Sequence, residues 1–575
     1  MKEVSDQVRG IIFVVLVMAV IFAWSRFYRP AAAPPQQKQA QSSSQKSATP
    51  TTTQSEEAPA PVNLPKSSVR KSASVAAVPV APVQASVEQQ IVVESALYRV
   101  EVSNRGAVVK SWMLKKYNND QKPPQPLELV DADSSSQLGW PFSLVLSDSQ
   151  LESRANSALY EISSSAGTVT APTDLTFHWS DGHLDVTKKL NFKQDYEMTV
   201  EVAATLDGNP LPVAIAWRGG FGDKSVYKAS QNVNVFYKQN GKLNLLQYKK
   251  LGVSGNQSQP SQQAGPMDFL GIQDQFFTAT FLPAGPELSL WDWTQEHKIV
   301  VDNKPETEPE AEMAAGTASA VPLQARVYVG PKDLAILGQI RPSLEELVNF
   351  GWTGVIAKPL LFIIQWLHRY IPNWGWAIVI LTLLINFALF PLKLKSQRSM
   401  QRMAKVAPEI RAIQDRYKKY SMSDPRKRQM NEEVMAIYQR EGINPVGGCL
   451  PMLPQLPIWW ALWRVLNGAI ELRHAPWLGW IHDLSAKDPY YILPIAMAVL
   501  MYVSTKMTPQ TTVDPSQQRM MTFMPLMMAV FFFNLSSGLN LYMFTSNVVA
   551  VGQQYYLNRT QPLPKPKPKF KKKNE

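Results

Sequence analysis

The side chains of this sequence best suited to chemistry are amides and hydroxyls inside apolar segments. The stretch 379–393, VILTLLINFALFPLK, carries Asn386 near its centre, and Thr382 precedes it by four residues. That spacing places both on one face of a helix, as the seven-residue spacing does for Asn540 and Asn547. The polar residues of this kind in the apolar segments are Thr382, Asn386, Gln455, Asn540, Ser546 and Asn547.

Two interpretations of these residues are open. Polar groups that are costly to expose to hydrocarbon usually face a bundle interior or a water-filled cavity. Single Asn and Gln side chains also hold neighbouring helices together. Because three separate apolar segments contribute amides, we favour a shared hydrophilic pocket.

The sequence contains no recognisable catalytic motif. Neither GxSxG, HExxH, a Walker loop nor CxxC occurs. His178, Asp181 and His183 lie together on a predicted hairpin, where a surface turn is favoured over a sugar-handling site. The single cysteine, Cys449, excludes an intramolecular disulfide. We therefore predict a protein that is not an enzyme and that needs no cofactor or metal.

The elements that position the amides are predicted to be membrane crossings. Residues 374–392 and 520–558 contain no charged side chain, and the second run is long enough for two crossings. Ser536, Ser537 and Gly538 are predicted to form the tight turn between those two. The five crossings are expected at about 374–392, 447–467, 489–505, 520–536 and 539–558.

The N-terminal part is predicted to be an anchor followed by a tether. The apolar block 11–24 lies between Arg9 and Arg26, and we expect residues 1–30 to be an uncleaved anchor. A signal peptide cleaved at 31–33 is the alternative. Residues 31–89 are rich in Pro, Ala, Gln and Ser, which predicts a disordered linker.

Residues 90–340 are predicted to form an exported, mostly antiparallel β domain. Tyr98, Val100 and Val102 alternate with polar residues, as in a half-buried strand. A second alternating stretch, 175–186, turns at Asp181-Gly182 and predicts a hairpin.

The C-terminal part combines an interfacial helix with a helical core. Residues 345–372 are predicted to contain an amphipathic helix lying in the membrane interface. The core spans 373–560 and includes a cytoplasmic helical hairpin at 393–441, followed by a basic tail at 561–575. The first hairpin helix carries an apolar stripe of Met400, Met403, Val406, Ile410 and Ile413.

Basic residues predict the orientation. They outnumber acidic ones in 393–441 and dominate the tail, whereas 470–488 is not basic. Positively charged loops stay in the cytoplasm. Six transmembrane helices in total then place both termini inside and the β domain in the periplasm.

The basic surface has two interpretations. It is either an ordinary solvated face or a docking surface for anionic partners such as lipid headgroups and ribosomal RNA. The residues expected to face the ribosome or lipid are Arg398, Arg402, Lys418, Lys419, Lys565, Lys567, Lys571 and Lys572.

A methionine cluster is the last unusual feature. Met520, Met524, Met527 and Met528 lie close together in one apolar segment. Methionine suits surfaces that accept varied apolar partners, although ordinary helix packing explains a single such segment as well.

Several stretches resemble the bacterial YidC insertases of the YidC/Oxa/Alb family, in their long Gram-negative-type form. The main ones are INPVGGCLPMLPQLPIWWALW at 443–463 and ELRHAPWLGWIHDLSAKDPYYILPIAMAVLM at 471–501. Supporting stretches are NWGWAIVILTLL at 373–384, PLK at 391–393 and TFMPLMMAVFFFNLSSGLNLY at 522–542.

The resemblance implies a periplasmic β-supersandwich joined to an α-helical transmembrane bundle with a five-helix insertase core. It implies an insertase and chaperone for inner-membrane proteins, acting alone or with the Sec translocon and its accessory subunits. Ribosomes, nascent membrane proteins and lipids are the implied partners. Gln455 matches a groove glutamine, Tyr542 joins the groove set, and Pro457 with the methionine cluster lies on the crossings along which clients slide.

One departure from the family matters. Members generally carry an arginine four residues after the threonine that Thr382 matches, and this chain has Asn386. A second aromatic often found after Tyr542 is Met543 here. We expect a groove without a fixed cation, working by neutral hydrogen bonds, in which Asn386→Arg is tolerated.

Two other functions stay open from the residues alone. A small-solute transporter or channel would also use a polar pocket between helices. A membrane-anchored periplasmic carbohydrate-binding protein would use the β domain, but it leaves the residues after 345 unexplained.

Overall fold

The structure is a computed structural model that describes residues 81–163, 167–225, 229–251, 253–254, 257–258, 260–301, 304–420, 424–443, 452–508, 523–524, 527 and 530–560. The predicted anchor, most of the linker, Cys449, Met520, Met528 and the basic tail lie outside these residues. The described chain divides after Val348 into a β domain and a helical unit.

The β domain contains three main sheets. The first has the order β4-β3-β2-β1-β7, and β7 pairs with β1 in parallel. Its strands are β1 (Gln90–Glu94), β2 (Tyr98–Ser103), β3 (Val108–Asn118), β4 (Pro126–Glu128) and β7 (Gly167–Thr170).

The largest sheet has ten strands in the order β14-β13-β18-β19-β22-β10-β9-β8-β6, with β11 paired to β10. Its strands are β6 (Glu161–Ile162), β8 (Thr173–Ser180), β9 (Leu184–Phe192), β10 (Glu197–Leu206), β11 (Asn209–Pro210), β13 (Asn234–Gln239), β14 (Lys242–Gln247), β18 (Phe269–Gln273), β19 (Phe277–Pro283) and β22 (Leu323–Pro331).

The third sheet has the order β17-β20-β21-β12-β5. Its strands are β5 (Ser143–Val145), β12 (Ala214–Trp217), β17 (Ser261–Gln263), β20 (Ser289–Val301) and β21 (Lys304–Gly316), and a separate pair joins β15 (Val253–Ser254) to β16 (Gln257–Ser258). The short helices of this domain are α1 (Ala132–Leu138), α2 (Ser149–Ser157) and α3 (Leu334–Leu337).

The hairpin predicted at 175–186 is confirmed as β8 and β9. Asp181 Oδ1 accepts hydrogen bonds from the backbone N–H groups of His183 and Leu184, at 2.9 and 2.8 Å. Gly182 has a φ of 96°, which glycine adopts without a steric penalty. The predicted strand at Tyr98 is confirmed as well, since Tyr98, Val100 and Val102 are all buried.

The β domain begins several residues before the predicted boundary at residue 90. Val83 forms a bridge with Ser180, and the Ala85 N–H donates to the Leu159 carbonyl at 3.0 Å. Residues 83–89 therefore belong to the β domain, because Pro and Gln do not prevent a short segment from pairing with a sheet edge.

The helical unit contains seven longer helices within the described residues. They are α4 (Gly354–Tyr370), α5 (Trp374–Ala388), α6 (Phe390–Arg416), α7 (Pro425–Arg440), α8 (Met452–Gly468), α9 (Ile492–Met507) and α10 (Ser537–Thr560). In the interfacial segment predicted at 345–372, the long helix begins at Gly354. Two short 3-10 turns, Glu345–Leu347 and Gly351–Thr353, precede it.

Taken singly, none of the described helices is both long and apolar enough to cross a bilayer, whereas α5 and α6, bent by 53° between them, meet that requirement as a pair.

The hairpin formed by α6 and α7 follows the predicted pattern. Val406, Ile410 and Ile413 are buried with Ile437 and Ile443, while Met403 packs at the edge. Asp424 caps α7 by accepting from the Arg426 N–H at 2.9 Å, and Pro425 occupies the first turn. The first helix begins at Phe390, directly after the bend, which is a few residues earlier than predicted.

The turn predicted at Ser536-Ser537-Gly538 is wrong by a few residues. Ser537 already starts α10, and the turn lies at 533–536. The reason is a set of backbone contacts from the 484–486 segment, whose carbonyls accept from the N–H groups of Ser537 and Gly538 at 2.6 and 2.8 Å. These bonds satisfy donors that the first turn of a helix leaves free.

Candidate functional site

Helices α5 and α10 place a group of polar side chains between them. Asn386, 3% exposed, donates from Nδ2 to the Thr382 carbonyl at 2.9 Å and to Ser546 Oγ at 3.3 Å. Its Oδ1 accepts from Lys393 Nζ at 2.8 Å, and Lys393 also donates to Gln553 Oε1 at 3.3 Å. We call Thr382, Asn386, Lys393, Ser546 and Gln553 the polar cluster.

The cluster connects α10 to both α5 and α6. Asn386 with Ser546 forms one connection, and Lys393 with Gln553 forms the other. Ser546 and Gln553 are seven apart on α10, which is about two turns and nearly the same face. Asn386 and Lys393 lie on either side of the bend between α5 and α6. The surrounding positions Ile378 and Leu381 are buried apolar residues, so the cluster is a polar strip in an apolar contact.

Lys393 places an ammonium group beside Asn386, where no fixed cation was expected. From the sequence, Lys393 belonged only to the stretch PLK at 391–393, because it directly follows the crossing expected at 374–392. The bend after Ala388 keeps it within reach of Asn386. The seven-residue spacing from Ser546 could have identified Gln553, whereas the contact of Lys393 depends on the bend.

Other predicted groove residues have local roles. Thr382 is fully buried and its hydroxyl donates to the Ile378 carbonyl of its own helix at 2.7 Å. Asn547 Nδ2 donates to the Met543 carbonyl of its own helix at 2.8 Å. Tyr542 is buried, at 3% exposure.

Asn540 lies apart from the cluster. Its Nδ2 donates to the carbonyls of Phe532 and Leu535, at 3.2 and 3.3 Å, so it stabilises the turn before α10. It is six residues, or about 9 Å along the helix, from Ser546. Asn540 and Asn547 are seven residues apart on α10, as predicted for one face, but their amides donate to different local carbonyls.

Gln455 is exposed near the start of α8 and, within the described part of the chain, makes no side-chain hydrogen bond. Pro457 lies inside the same helix, half-buried. Of the methionine cluster, Met524 and Met527 are described, and both are more than half exposed. The exposed apolar side chains beside them are Phe523, Val530 and Phe531.

The basic residues of the hairpin lie on its surface. Arg398, Arg402, Lys418 and Lys419 are exposed on α6 and just after it. Some basic residues nearby are paired, as Arg416 is with Glu433 at 2.9 Å. The tail lysines are outside the described residues.

The histidines of the β8–β9 hairpin do not form one site. His178 Nε2 lies 2.8 Å from Asp185, and His183 Nδ1 lies 2.7 Å from Asp207. Asp181 instead pairs with Arg154. The surface-turn interpretation fits these separate pairs.

The β domain has a buried charged group that the sequence did not reveal. Glu310 is fully buried, and both of its carboxylate oxygens accept from Lys224 Nζ, at 2.5 and 2.6 Å. Burial raises the pKa of Glu310 to about 7, although Lys224 opposes this. Asp131 and His297 offer further ligand atoms within 4.8 Å, but Lys224 already supplies the counter-charge.

Comparisons with known proteins identify the family. Residues 90–363 match the family model of the YidC periplasmic domain, and 366–565 match that of the 60Kd inner membrane protein. A membrane protein insertase YidC of Cupriavidus necator is 33% identical over 512 residues, which is 87% of this chain and 89% of that protein. The chain belongs to the family of YidC membrane protein insertases.

Other relatives match over a shorter length. The YidC insertase of Burkholderia multivorans is 46% identical over 252 residues, 44% of each chain, and that of Wolinella succinogenes is 41% identical over 51% of each. This chain thus spans about half the length of these two YidC relatives. The family name describes insertion and not catalysis.

Solved YidC structures are also similar. An active YidC insertase with its first transmembrane domain resolved is 18% identical, with a TM-score of 0.34, over 83% of this chain and 94% of that one. YidC from Thermotoga maritima is 13% identical, with a TM-score of 0.27, over 81% of this chain and 99% of that one. The family places the chain in the inner membrane, with a periplasmic domain of mostly β sheets and a helical C-terminal region.

Proposed function

We propose that the polar cluster is the wall of a hydrophilic groove through which this chain inserts membrane proteins. The observation that carries the proposal is the hydrogen bond of buried Asn386 to Ser546, which joins two apolar helices through polar groups. The polar part of a client would enter this strip while its apolar part moves into lipid.

The physical benefit is a lower barrier to crossing. Bare polar backbone in hydrocarbon costs several kcal/mol per group. A water-containing groove that extends part of the way across the bilayer removes much of that cost without nucleotide hydrolysis.

The apolar route follows exposed side chains on two helical segments. Leu456 on α8 and Met524, Met527 and Val530 before α10 are each at least half exposed. We propose that these residues are the slide for clients, with Pro457 beside them. Flexible methionines would accommodate clients of different shape.

Helix α4 is proposed to lie in the membrane interface. Val355, Phe362, Trp366 and Tyr370 repeat at spacings of seven and four and are all exposed. Such a stripe on a helix whose last turn holds His368 and Arg369 suits the boundary between headgroups and acyl chains.

The orientation and the partners of the chain are proposed from the distribution of its basic residues. Six crossings with both termini in the cytoplasm would place the exposed basic face of α6, with the tail, toward ribosomes and anionic lipids. Cooperation with the Sec translocon and a chaperone role for multispanning clients belong to the same proposal.

The experiment that tests the groove is complementation of an insertase-depleted strain. Asn386→Leu is expected to lower insertion about tenfold or more, because it removes three hydrogen bonds and the polar strip. Asn547→Leu is the matched control, since that amide only binds its own helix, and it is expected to insert clients within about twofold of the unchanged chain. Normal insertion by the Asn386→Leu variant would show that Asn386 only holds neighbouring helices together and does not line a groove.

A further inference from the structure

Strand β21 of the β domain carries a row of glutamates on one face. Glu308, Glu310 and Glu312 alternate with Pro309 and Ala311, so their side chains leave the strand on the same side. Glu310 and Glu312 are fully buried, and Glu308 is partly buried. Carboxylates are seldom buried unless a cation or a metal ion accompanies them. This row therefore needs positive charge beside it.

The carboxylates around Glu310 outnumber the ammonium that pairs with it. Lys224 Nζ donates to both oxygens of Glu310, at 2.5 and 2.6 Å. Burial is the main cause of the raised pKa of Glu310, and the negative charges of Glu308 and Asp131 add to it. Lys224 thus supplies the counter-charge of Glu310 but leaves these two neighbours uncompensated. A divalent cation would remove the excess of negative charge.

His297 on β20 directs a ring nitrogen toward this group. It lies opposite Glu308 in the pairing of β20 with β21 and is 3% exposed. Among the described residues its Nδ1 has no hydrogen-bond partner, and it lies 3.7 Å from Glu310 Oε1. A buried polar atom without a partner is rare in folded proteins, and an unprotonated imidazole nitrogen is a common metal ligand.

Asp131 brings a third ligand from a different element. Its Oδ1 caps α1 by accepting from the N–H groups of Asp133 and Ser134, at 3.0 and 3.4 Å, which leaves Oδ2 for another partner. Ligand atoms of Asp131, His297 and Glu310 all lie within 4.8 Å of one another. Ligands of a tetrahedral zinc ion are about 3.3 Å apart, since each lies ~2.0 Å from the metal. Small side-chain rotations would close the difference.

We propose that Asp131, His297 and Glu310 bind a zinc ion, which takes the place of the Lys224 ammonium beside Glu310. One imidazole nitrogen with two carboxylate oxygens suits Zn²⁺, whereas Ca²⁺ and Mg²⁺ take oxygen ligands. The Lys224 side chain is 20% exposed, so it can turn toward solvent when the ion enters. No metal was predicted from the sequence, because these ligands form no local motif.

The site has a structural consequence that is independent of the polar cluster. The ion would join α1 to β20 and β21, and a ligand that binds only the folded state stabilises that state. Its two carboxylate ligands would balance the charge of Zn²⁺, so the site would be neutral when occupied. Zinc is therefore expected to protect this part of the β domain from local opening.

The test measures zinc binding to the full chain in detergent, after a chelator has removed bound metal. Equilibrium dialysis against Zn²⁺ gives the number of bound ions and their affinities. We expect His297→Gln to weaken one bound ion about 100-fold or more, because the variant lacks a ligand of that ion. His178→Gln is the matched control, since His178 pairs with Asp185 on the β8–β9 hairpin, and it should leave that ion unchanged.

Lys224→Met provides the second arm. Glu310 then has no competing ammonium, so Zn²⁺ should bind about tenfold more tightly than to the unchanged chain. Zinc should raise the hydrogen-exchange protection of β20 and β21 peptides in this variant and in the unchanged chain, but not in His297→Gln. If Lys224 and Glu310 are only a structural pair, the variant loses protection and zinc does not restore it.

Two results would overturn the inference. One is equal zinc affinity in the unchanged chain and in His297→Gln, and the other is weaker or unchanged zinc binding in Lys224→Met. If His297→Gln fails to fold, the result for Lys224→Met decides alone. Failure of the groove test with Asn386→Leu leaves this site unaffected, because its ligands all lie in the β domain.

Discussion

Lys188 in the β domain and Lys393 in the helical unit differ in their burial and in the groups that accept their hydrogen bonds. Lys188 in β9 is fully buried, and its Nζ donates to the carbonyls of Gly106, Ala107 and Phe142, at 2.7, 3.2 and 2.9 Å. Lys393 in α6 donates to two neutral side-chain oxygens, those of Asn386 and Gln553, at 2.8 and 3.3 Å.

The number of bonded N–H donors distinguishes a lysine that stabilises the fold from one that has a donor left over. Three fixed backbone acceptors use every donor of Lys188, so this side chain is part of the β-domain core. Burial lowers the pKa of Lys188 to about 7. Lys393 uses two of its three N–H donors on the oxygens of Asn386 and Gln553.

The largest effect on stability is expected for Lys188→Met. The change leaves three buried carbonyls without a donor and should lower the free energy of unfolding of the β domain by about 3 kcal/mol or more. Lys189→Met is the control, because that neighbouring side chain is mostly exposed and should cost under about 0.5 kcal/mol. Hydrogen exchange of peptides from β9 measures both, and equal protection in the two variants would contradict the structural role.

A smaller effect is expected from pH in the third sheet. Burial raises the pKa of Glu310 and of Glu312 to about 7 from the usual 4.5. Between these values the folded state holds more protons than the unfolded state, so stability should fall as pH rises from about 4.5 to about 7. Hydrogen exchange of β21 peptides, corrected for intrinsic rates, measures the slope.

Glu312→Gln provides the control for that slope. Glu312 Oε1 accepts from the Gly219 N–H at 2.9 Å, and Oε2 accepts from Trp293 Nε1 at 2.5 Å. A glutamine amide has one acceptor oxygen, so the variant should lose part of the pH dependence and also about 1 to 3 kcal/mol of stability at every pH. A slope of opposite sign in the unchanged chain would show that other groups dominate this sheet.

Lys393→Met is expected to change stability much less than Lys188→Met does. Its partners, Asn386 and Gln553, can bind water in an accessible groove, so the cost should be at most about 1 kcal/mol. Exchange protection of peptides from α5 is the measurement. A loss as large as that of Lys188→Met would mean that Lys393 is structural too, and the contrast between the two units would disappear.

Removing residues 83–348 is expected to have no more than a small effect on insertion. The polar cluster consists entirely of residues from α5, α6 and α10, which lie in the helical unit. Client insertion by the truncated chain is the measurement, with Asn386→Leu in the same truncation as control. Loss of insertion, despite normal membrane levels, would assign a part of the reaction to the β domain.

Much of the fold could be predicted because local patterns determine it. Alternation marked β2 and the β8–β9 hairpin, and the three- and four-residue stripe with Asp424-Pro425 marked α6 and α7. The parallel pairing of β7 with β1 joins distant segments. No local pattern encodes it, and the same is true of the sheet order.

The site was predicted only in part, for a geometric reason. Asn386 and Ser546 were identified because polar residues in apolar segments are conspicuous. The contact of Lys393 with Asn386 was not predicted because it depends on the bend after Ala388, and the contacts of Asn540 were not predicted because its acceptors are carbonyls of the preceding turn. Contacts that depend on backbone direction are not visible in residue types alone.

The most direct test of the account is crosslinking from the client. A photoreactive residue in the polar segment of a ribosome-stalled nascent chain should form adducts with 382–393 on α5 and α6 and with 546–553 on α10. Asn386→Leu should lower the yield, and Asn547→Leu should not. Adducts confined to the exposed side of α9, or an unchanged yield in Asn386→Leu, would contradict a groove built on the polar cluster.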